Sequence, residues 1–160
     1  MAVDIFMKLD PLKGESKDAK HKDEIDVISW SWGLTQAATW HSGSGGGAGK
    51  VSVHDLNFTH HVDTASTDLM KACATGKHLA KGVLTVRKAG EHPLEFLKIT
   101  LEDILVTGVQ TGGSGHDEVY TENVTLNFAK FKVEYTPQTE KGAGGVTTEV
   151  KWNIAANSEN

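Results

Sequence analysis

The feature that most constrains this chain is an apolar period of two. In "AVDIFMKL", Val3, Ile5, Met7 and Leu9 fall on one face, as a half-buried strand requires. In "IDVISWSWGLTQ", Ile28, Trp30, Trp32 and Leu34 fall on one face, and Ser29, Ser31, Gly33 and Thr35 on the other. Strand-like patterns recur at Lys50–Val62, "GVLTVRKAG", "LEFLKITLEDILVTGV", "ENVTLNFAKFKVEYTP" and the terminal "EVKWNIA". One segment, "STDLMKACATGK", is helical instead. Ser66 or Thr67 is its expected N-cap, Asp68 sits in its first turn, and Gly76 is its expected terminator. Leu69, Ala72 and Cys73 line one face. About eight strands and one helix predict a mostly β fold, an antiparallel barrel or sandwich, with residues 1–160 forming one domain. The polar run "KGESKDAKHKDE" reads as a solvated loop.

Three strands carry a phase slip in their apolar residues. A slip of one residue sends every later side chain to the opposite face, and a bulge or bend restores it. Bends are expected near His54–Asp55, Glu102–Asp103 and Ala129–Lys130, where a sheet could turn the corner of a barrel. Strands buried on both faces would give the same pattern.

The glycine run "HSGSGGGAGK" invites a nucleotide reading and fails it. Gly49–Lys50 matches the end of a P-loop, but Ser44 stands where the first glycine is needed and Val51 where Ser or Thr is needed. Gly43, Gly45 and Ala48 fit a dinucleotide spacing, but that motif must open a helix, and a strand pattern follows here. A long glycine-rich connection between two strands remains, and such connections are often functional.

Other chemistry finds little footing. A net charge of −5 argues against a nucleic-acid binder. The eight histidines form no metal motif. His60 and His61 point to opposite faces, and the remaining histidines are scattered over loops and strand ends. Cys73 is alone, so no internal disulfide exists, and on a helix's apolar face it is expected to be buried and inert. Ser114, His116 and Asp117 lie too close in sequence for a triad and read as a turn. Glu102 and Asp103 are expected to face opposite sides. No catalytic, cofactor-binding or metal residue is expected, and hence no enzyme. Trp30 and Trp32 are expected in the core, while Trp40 and Trp152 are placed for an interface. The Ser29–Ser31–Gly33–Thr35 face is small and neutral where a solvent face would carry Lys and Glu. It suits a surface that meets other molecules, a wall of a wide wet passage, or a face covered by the helix. The opening residues carry no signal peptide or membrane span.

The strings "AVDIFMKLDPLKGESKD", "EIDVISWSWG", "GKVSVHDLNFTHHVD", "LMKACATGKH", "LTVRKAG" and "TENVTLNFAKFKVEY" resemble the Hcp family, tube subunits of bacterial type VI secretion, over Ala2 to about Asn157. The resemblance implies a two-sheet antiparallel barrel with one side helix, similar to phage tail tubes. It implies a homohexameric ring stacked into a tube inside a contractile sheath, tipped by a spike of the VgrG type, and carrying small secreted effectors. It implies export from the bacterial cytoplasm without a signal peptide. Ser29, Ser31 and Thr35 would line the lumen, with Ser31 the foremost candidate. Gly45, Gly46 and Gly47 would belong to a loop reaching a neighbouring subunit or ring, and Gly90 and Ala155 would lie at stacking contacts. A monomeric barrel binding a small ligand is the alternative reading, and a hydrolase using Cys73 or a serine the third.

Overall fold

The computed structural model describes residues 2–43 and 46–160, so Gly45 lies outside the described residues. The described residues form nine strands, one α-helix and a short 3-10 turn. The strands are β1 (Val3–Leu9), β2 (Ile25–Ser31), β3 (Leu34–Thr35), β4 (Ser52–Val53), β5 (Leu56–His61), β6 (His78–Lys88), β7 (Leu94–Gly112), β8 (Thr121–Tyr135) and β9 (Thr148–Asn153), with the helix α1 at Ala65–Thr75. The main sheet runs β5-β2-β1-β6-β7-β8-β9, and a further β5–β8 pairing closes six of these strands into a barrel. Every pairing is antiparallel, as the alternating sequence predicts.

The barrel is two sheets sharing two long strands. The N-terminal half of β8 pairs with β5 and its C-terminal half with β9. The hinge between the halves is a corner crossing three neighbouring strands. On β6, Leu79 and Gly82 are buried while Ala80 and Lys81 face out; on β7, Leu101 and Ile104 are buried around Glu102 and Asp103; on β8, Phe128 and Phe131 are buried around Ala129 and Lys130. The expected bends at 102–103 and 129–130 are therefore present. They involve no inserted residue, because Glu102↔Lys130 and Ile104↔Phe128 stay in step. Asp103 takes φ 55°, and this twists two consecutive side chains outward. Glu102 and Asp103 thus lie on the same exposed side, against expectation. The third bend, at His54–Asp55, is a full break: β4 pairs with β3 in a separate two-stranded sheet, while β5 enters the barrel.

Inserted residues sit elsewhere. Register shifts fall between Val27 and Ser29, between Val86 and Arg87 opposite Leu97 and Glu95, and between Val106 and Gly108. The first corrects the reading of β2. Ile25 and Val27 are buried, the bulge turns Ile28 outward to 48% exposure, and Trp30 resumes packing on the core. Leu34 is 49% exposed because the chain has left the barrel for the β3–β4 hairpin. Trp32 does pack inward, its ring 4.9 Å from Phe131 and 6.2 Å from Phe128.

The helix begins before Ser66. Asp63 Oδ1 accepts the Ala65 N–H at 2.8 Å, and the Asp63 N–H donates to Ser66 Oγ at 3.0 Å, a reciprocal cap placed one turn earlier than expected. Gly76 ends the helix at φ 68°, as predicted. Ala65, Leu69 and Ala72 join the barrel's core cluster, and the helix lies against β7. Cys73 is half-buried at the edge of that cluster.

The segment expected to be a solvated loop is docked. Arg87 on β6 makes a paired contact with Asp18, its two terminal nitrogens 3.1 Å and 2.6 Å from the carboxylate oxygens, and also reaches Asp4. The Arg87 guanidinium holds the Asp18 carboxyl well below the usual carboxylate range. His21 stacks on Phe6 at 4.3 Å and lies between Glu24 (2.8 Å) and Glu95 (2.6 Å).

Candidate functional site

One face of the molecule stands apart in chemistry. β2, β5, the first half of β8 and the last half of β7 form a four-stranded sheet whose inner residues, among them Leu56, Phe58, Val124 and Leu126, are buried. Between them, the outward side chains of Ser29, Ser31, Asn57, Thr59, Asn123 and Thr125 are small and uncharged, while Asp26, Ile28 and His61 also face out on these strands. Ser29 and Ser31 on β2 stand opposite Thr59 and Asn57 on β5. Asn57 and Thr59 stand in turn opposite Thr125 and Asn123 on β8. These residues bond one another: Thr125 Oγ1 donates to Asn57 Oδ1 (2.7 Å), and Asn123 Nδ2 donates to Thr59 Oγ1 (3.1 Å). Gln110 on β7 extends the row beside Asn123. The helix does not cover this face, since Ser29 and Ser31 are exposed.

The sheet has two strand edges without a strand neighbour among the described residues. β1 pairs with β2 only through Phe6↔Asp26 and Met7↔Ile25, so Ile28–Ser31 have no partner on that side. β6 pairs with β7 only as far as His78↔Leu105, so Val106–Gly112 have none on the opposite side. Such edges are templates for pairing with another chain.

Directly beneath the polar face lies a buried ionic contact that sequence reasoning missed. His60 and Glu122 are both buried, and His60 Nε2 lies 2.9 Å from Glu122 Oε1. Thr111 donates to the other carboxylate oxygen at 3.0 Å. Asp63 Oδ2 is 3.7 Å from His60 Nδ1, within ion-pair range but too far for a hydrogen bond. Burial opposes charge on His60, but Asp63 and Glu122 outweigh it and raise the imidazole pKa. The adjacent histidines do take opposite faces, as expected, with His61 exposed. The partner of His60 is 62 residues away, and no local pattern announces it.

Thr35 is exposed on the β3–β4 hairpin rather than on the four-stranded sheet, so it does not continue the Ser29–Ser31 row; its hydroxyl is 3.4 Å from His54 Nε2. The hairpin carries the glycine loop at its tip. Trp40, 76% exposed, lies over Gly46, where a Cβ would strike the ring, and Gly47 bonds with Thr39. Gly90 sits at φ 141° in the β6–β7 turn, and Ala155 in an exposed turn after β9. These positions fall on three separate turns. Trp152 is half-buried against the core, while Trp40 stays exposed as an interface residue would be. Among the described residues no group of three or more His, Cys, Asp or Glu could hold a metal ion, and no helix is long and apolar enough to cross a membrane.

A closed six-stranded antiparallel barrel with one side helix and a projecting hairpin defines the class of protein. The sequence pattern described as "Type VI secretion system effector, Hcp" matches residues 6–135. The chain is 53% identical over 159 residues to protein hcp1 of Pseudomonas aeruginosa, covering 98% of each. Its fold matches the crystal structure of Hcp1 from Salmonella typhimurium with a TM-score of 0.84 at 45% identity, each chain covered fully. A structure described as a type six secretion system protein matches with a TM-score of 0.94 at 28% identity, over 99% of this chain and 100% of that one. The chain belongs to the Hcp family of the type VI secretion system.

Proposed function

We propose that this protein is a structural subunit of the secretion tube: residues 1–160 act as one unit, six copies close into a ring, and rings stack into a tube that carries small effectors. The observation behind this reading is the neutral polar face bounded by two unpaired strand edges. Identical head-to-tail contacts close when the rotation per copy closes. Four strands from each of six copies, at ~4.8 Å per strand, give a wall ~115 Å around and a passage roughly 35 Å across before strand tilt. A compact cargo of about 100 residues, with a radius of gyration of ~13 Å, is near the upper size for such a passage. Ser29 and Ser31 would face it. Thr35 and the hairpin tip with Gly46 and Gly47 would reach a neighbouring subunit or ring, with Gly90 and Ala155 at stacking contacts. Family membership supports the remaining partners: a VgrG-type spike, a contractile sheath, and export from the cytoplasm without a signal peptide. The protein would act by assembly rather than by catalysis.

Light scattering during gel filtration, with electron micrographs of the peak, tests this. Six copies of a 17.2 kDa chain weigh about 103 kDa. Doughnut-shaped particles at that mass are expected. A monomer at every concentration would sink the tube and leave a small-ligand-binding barrel as the working idea.

A further inference from the structure

The rows from Ser29 and Ser31 through Asn57 and Thr59 to Thr125 and Asn123 are neutral, and a carboxylate meets them at one end. Asp55 lies at the break between β4 and β5, half-buried. Thr107 Oγ1 donates to its Oδ2 at 3.1 Å, and Asn127 Nδ2 donates to its Oδ1 at 2.8 Å. Both donors are uncharged, and Asp55 forms no ion pair among the described residues. A carboxylate accepts about four hydrogen bonds, so roughly half its capacity is open. Asp55 is one of the residues lining a recess of ≈290 Å³, with Ser31, Trp32, Gly33, His54 and Asn57. A second recess of ≈150 Å³ flanks it on the Asn127 side. No lysine or arginine lines either one. Trp32 is fixed there by its indole N–H, which donates to the His54 carbonyl at 2.8 Å. Gly33 leaves the floor open, since a Cβ there would meet only His54, at 3.8 Å.

A carboxylate without a cationic partner, beside an aromatic ring and neutral hydrogen-bonding groups, is a setting for a guanidinium. The cation gains charge-assisted bonds to the carboxylate and lies against the aromatic wall. We propose that the Ser31–Trp32–His54–Asp55–Asn57 recess is a subsite for an arginine side chain of a protein cargo. This rests on the reading of the polar face as the wall of the cargo passage. It supplies a point of charge selection beside rows of neutral side chains.

The full-length protein can be titrated with a blocked glycyl-arginyl-glycine peptide and with the same peptide carrying citrulline, a neutral isostere. The indole N–H resonance of Trp32, assigned with Trp32→Phe, reports occupancy. Asp55→Asn is the informative variant because it can keep the local bonds. Its Oδ1 still accepts from Asn127, and its amide donates to Thr107 Oγ1, whose single proton then turns to the Thr125 carbonyl 3.2 Å away. The expected result is a saturable shift with the arginine peptide, weakened by salt. Binding should fall about tenfold with citrulline and about tenfold in Asp55→Asn, the loss of one charge-assisted contact. Equal binding of both peptides, full retention in Asp55→Asn, or no shift at all would overturn the proposal. The molar mass of the same sample separates the two ideas. Rings without arginine preference sink the recess alone, whereas arginine binding by a permanent monomer upholds the recess and removes its cargo role.

Discussion

Single residues hold the corner and the seam of this barrel. At Gly82 a Cβ would fall 2.8 Å from Leu9 Cδ2 and 2.9 Å from Ile104 Cδ1, so the three-strand corner closes only because no side chain intervenes. Gly82→Ala is expected to cost ~1–3 kcal/mol through overpacking, measurable as a lowered urea midpoint with an unchanged slope. His60 acts on the other sheet. Its folded pKa lies above the unfolded value of 6.5, so its contribution is fully present below that pH and is lost as pH rises through the folded value. His60→Gln leaves Glu122 buried without its cation and is expected to cost about 3 kcal/mol or more below pH 6.5. Urea unfolding of both proteins across a pH series should show the gap narrowing on the alkaline side. A gap independent of pH would mean that the ring acts only by filling space.

At the scale of elements, the alternation of apolar residues made the strands and the antiparallel barrel legible, and the phase slips marked the corner. What stayed hidden were features whose cause lies across the sheet. The bulge at Ile28 is masked because Ile28, Trp30, Trp32 and Leu34 alternate cleanly in sequence, while the register with β5 breaks between Val27 and Ser29. The corner on β6 is masked because Gly82 has no side chain to reveal its phase. On the polar face, Ser29 and Ser31 could be found from β2 alone. Their neighbours Asn57, Thr59, Asn123 and Thr125 could not, because they gather only through pairing between distant strands. The β3–β4 hairpin is a separate sheet anchored on the core through Val53, so trimming its exposed tip should not disturb the barrel. Replacing residues 40–47 with a tight turn is expected to leave the thermal midpoint of the barrel within a few degrees, while tube-like stacks vanish from electron micrographs. A large drop in midpoint would show that the hairpin stabilises the barrel instead.

Across the whole molecule, the same strands that close the core also present the wall of the proposed passage, so packing and transport chemistry lie on opposite faces of one sheet. Ser31→Tyr places a bulky ring on the exposed face without touching the core. Rings should persist by light scattering while co-purifying effector falls several-fold; unchanged effector recovery would remove Ser31 from the wall.

The two unpaired strand edges carry a consequence for mixtures of chains. In a ring of six built through those edges, every member must offer both, and one copy with a blocked edge spoils the ring it joins. If one copy in ten is blocked, only about half of randomly assembled six-membered rings escape it. Substitutions confined to these edges are therefore expected to behave as dominant alleles, poisoning secretion in cells that still make the normal protein, whereas substitutions that merely unfold the barrel should be recessive.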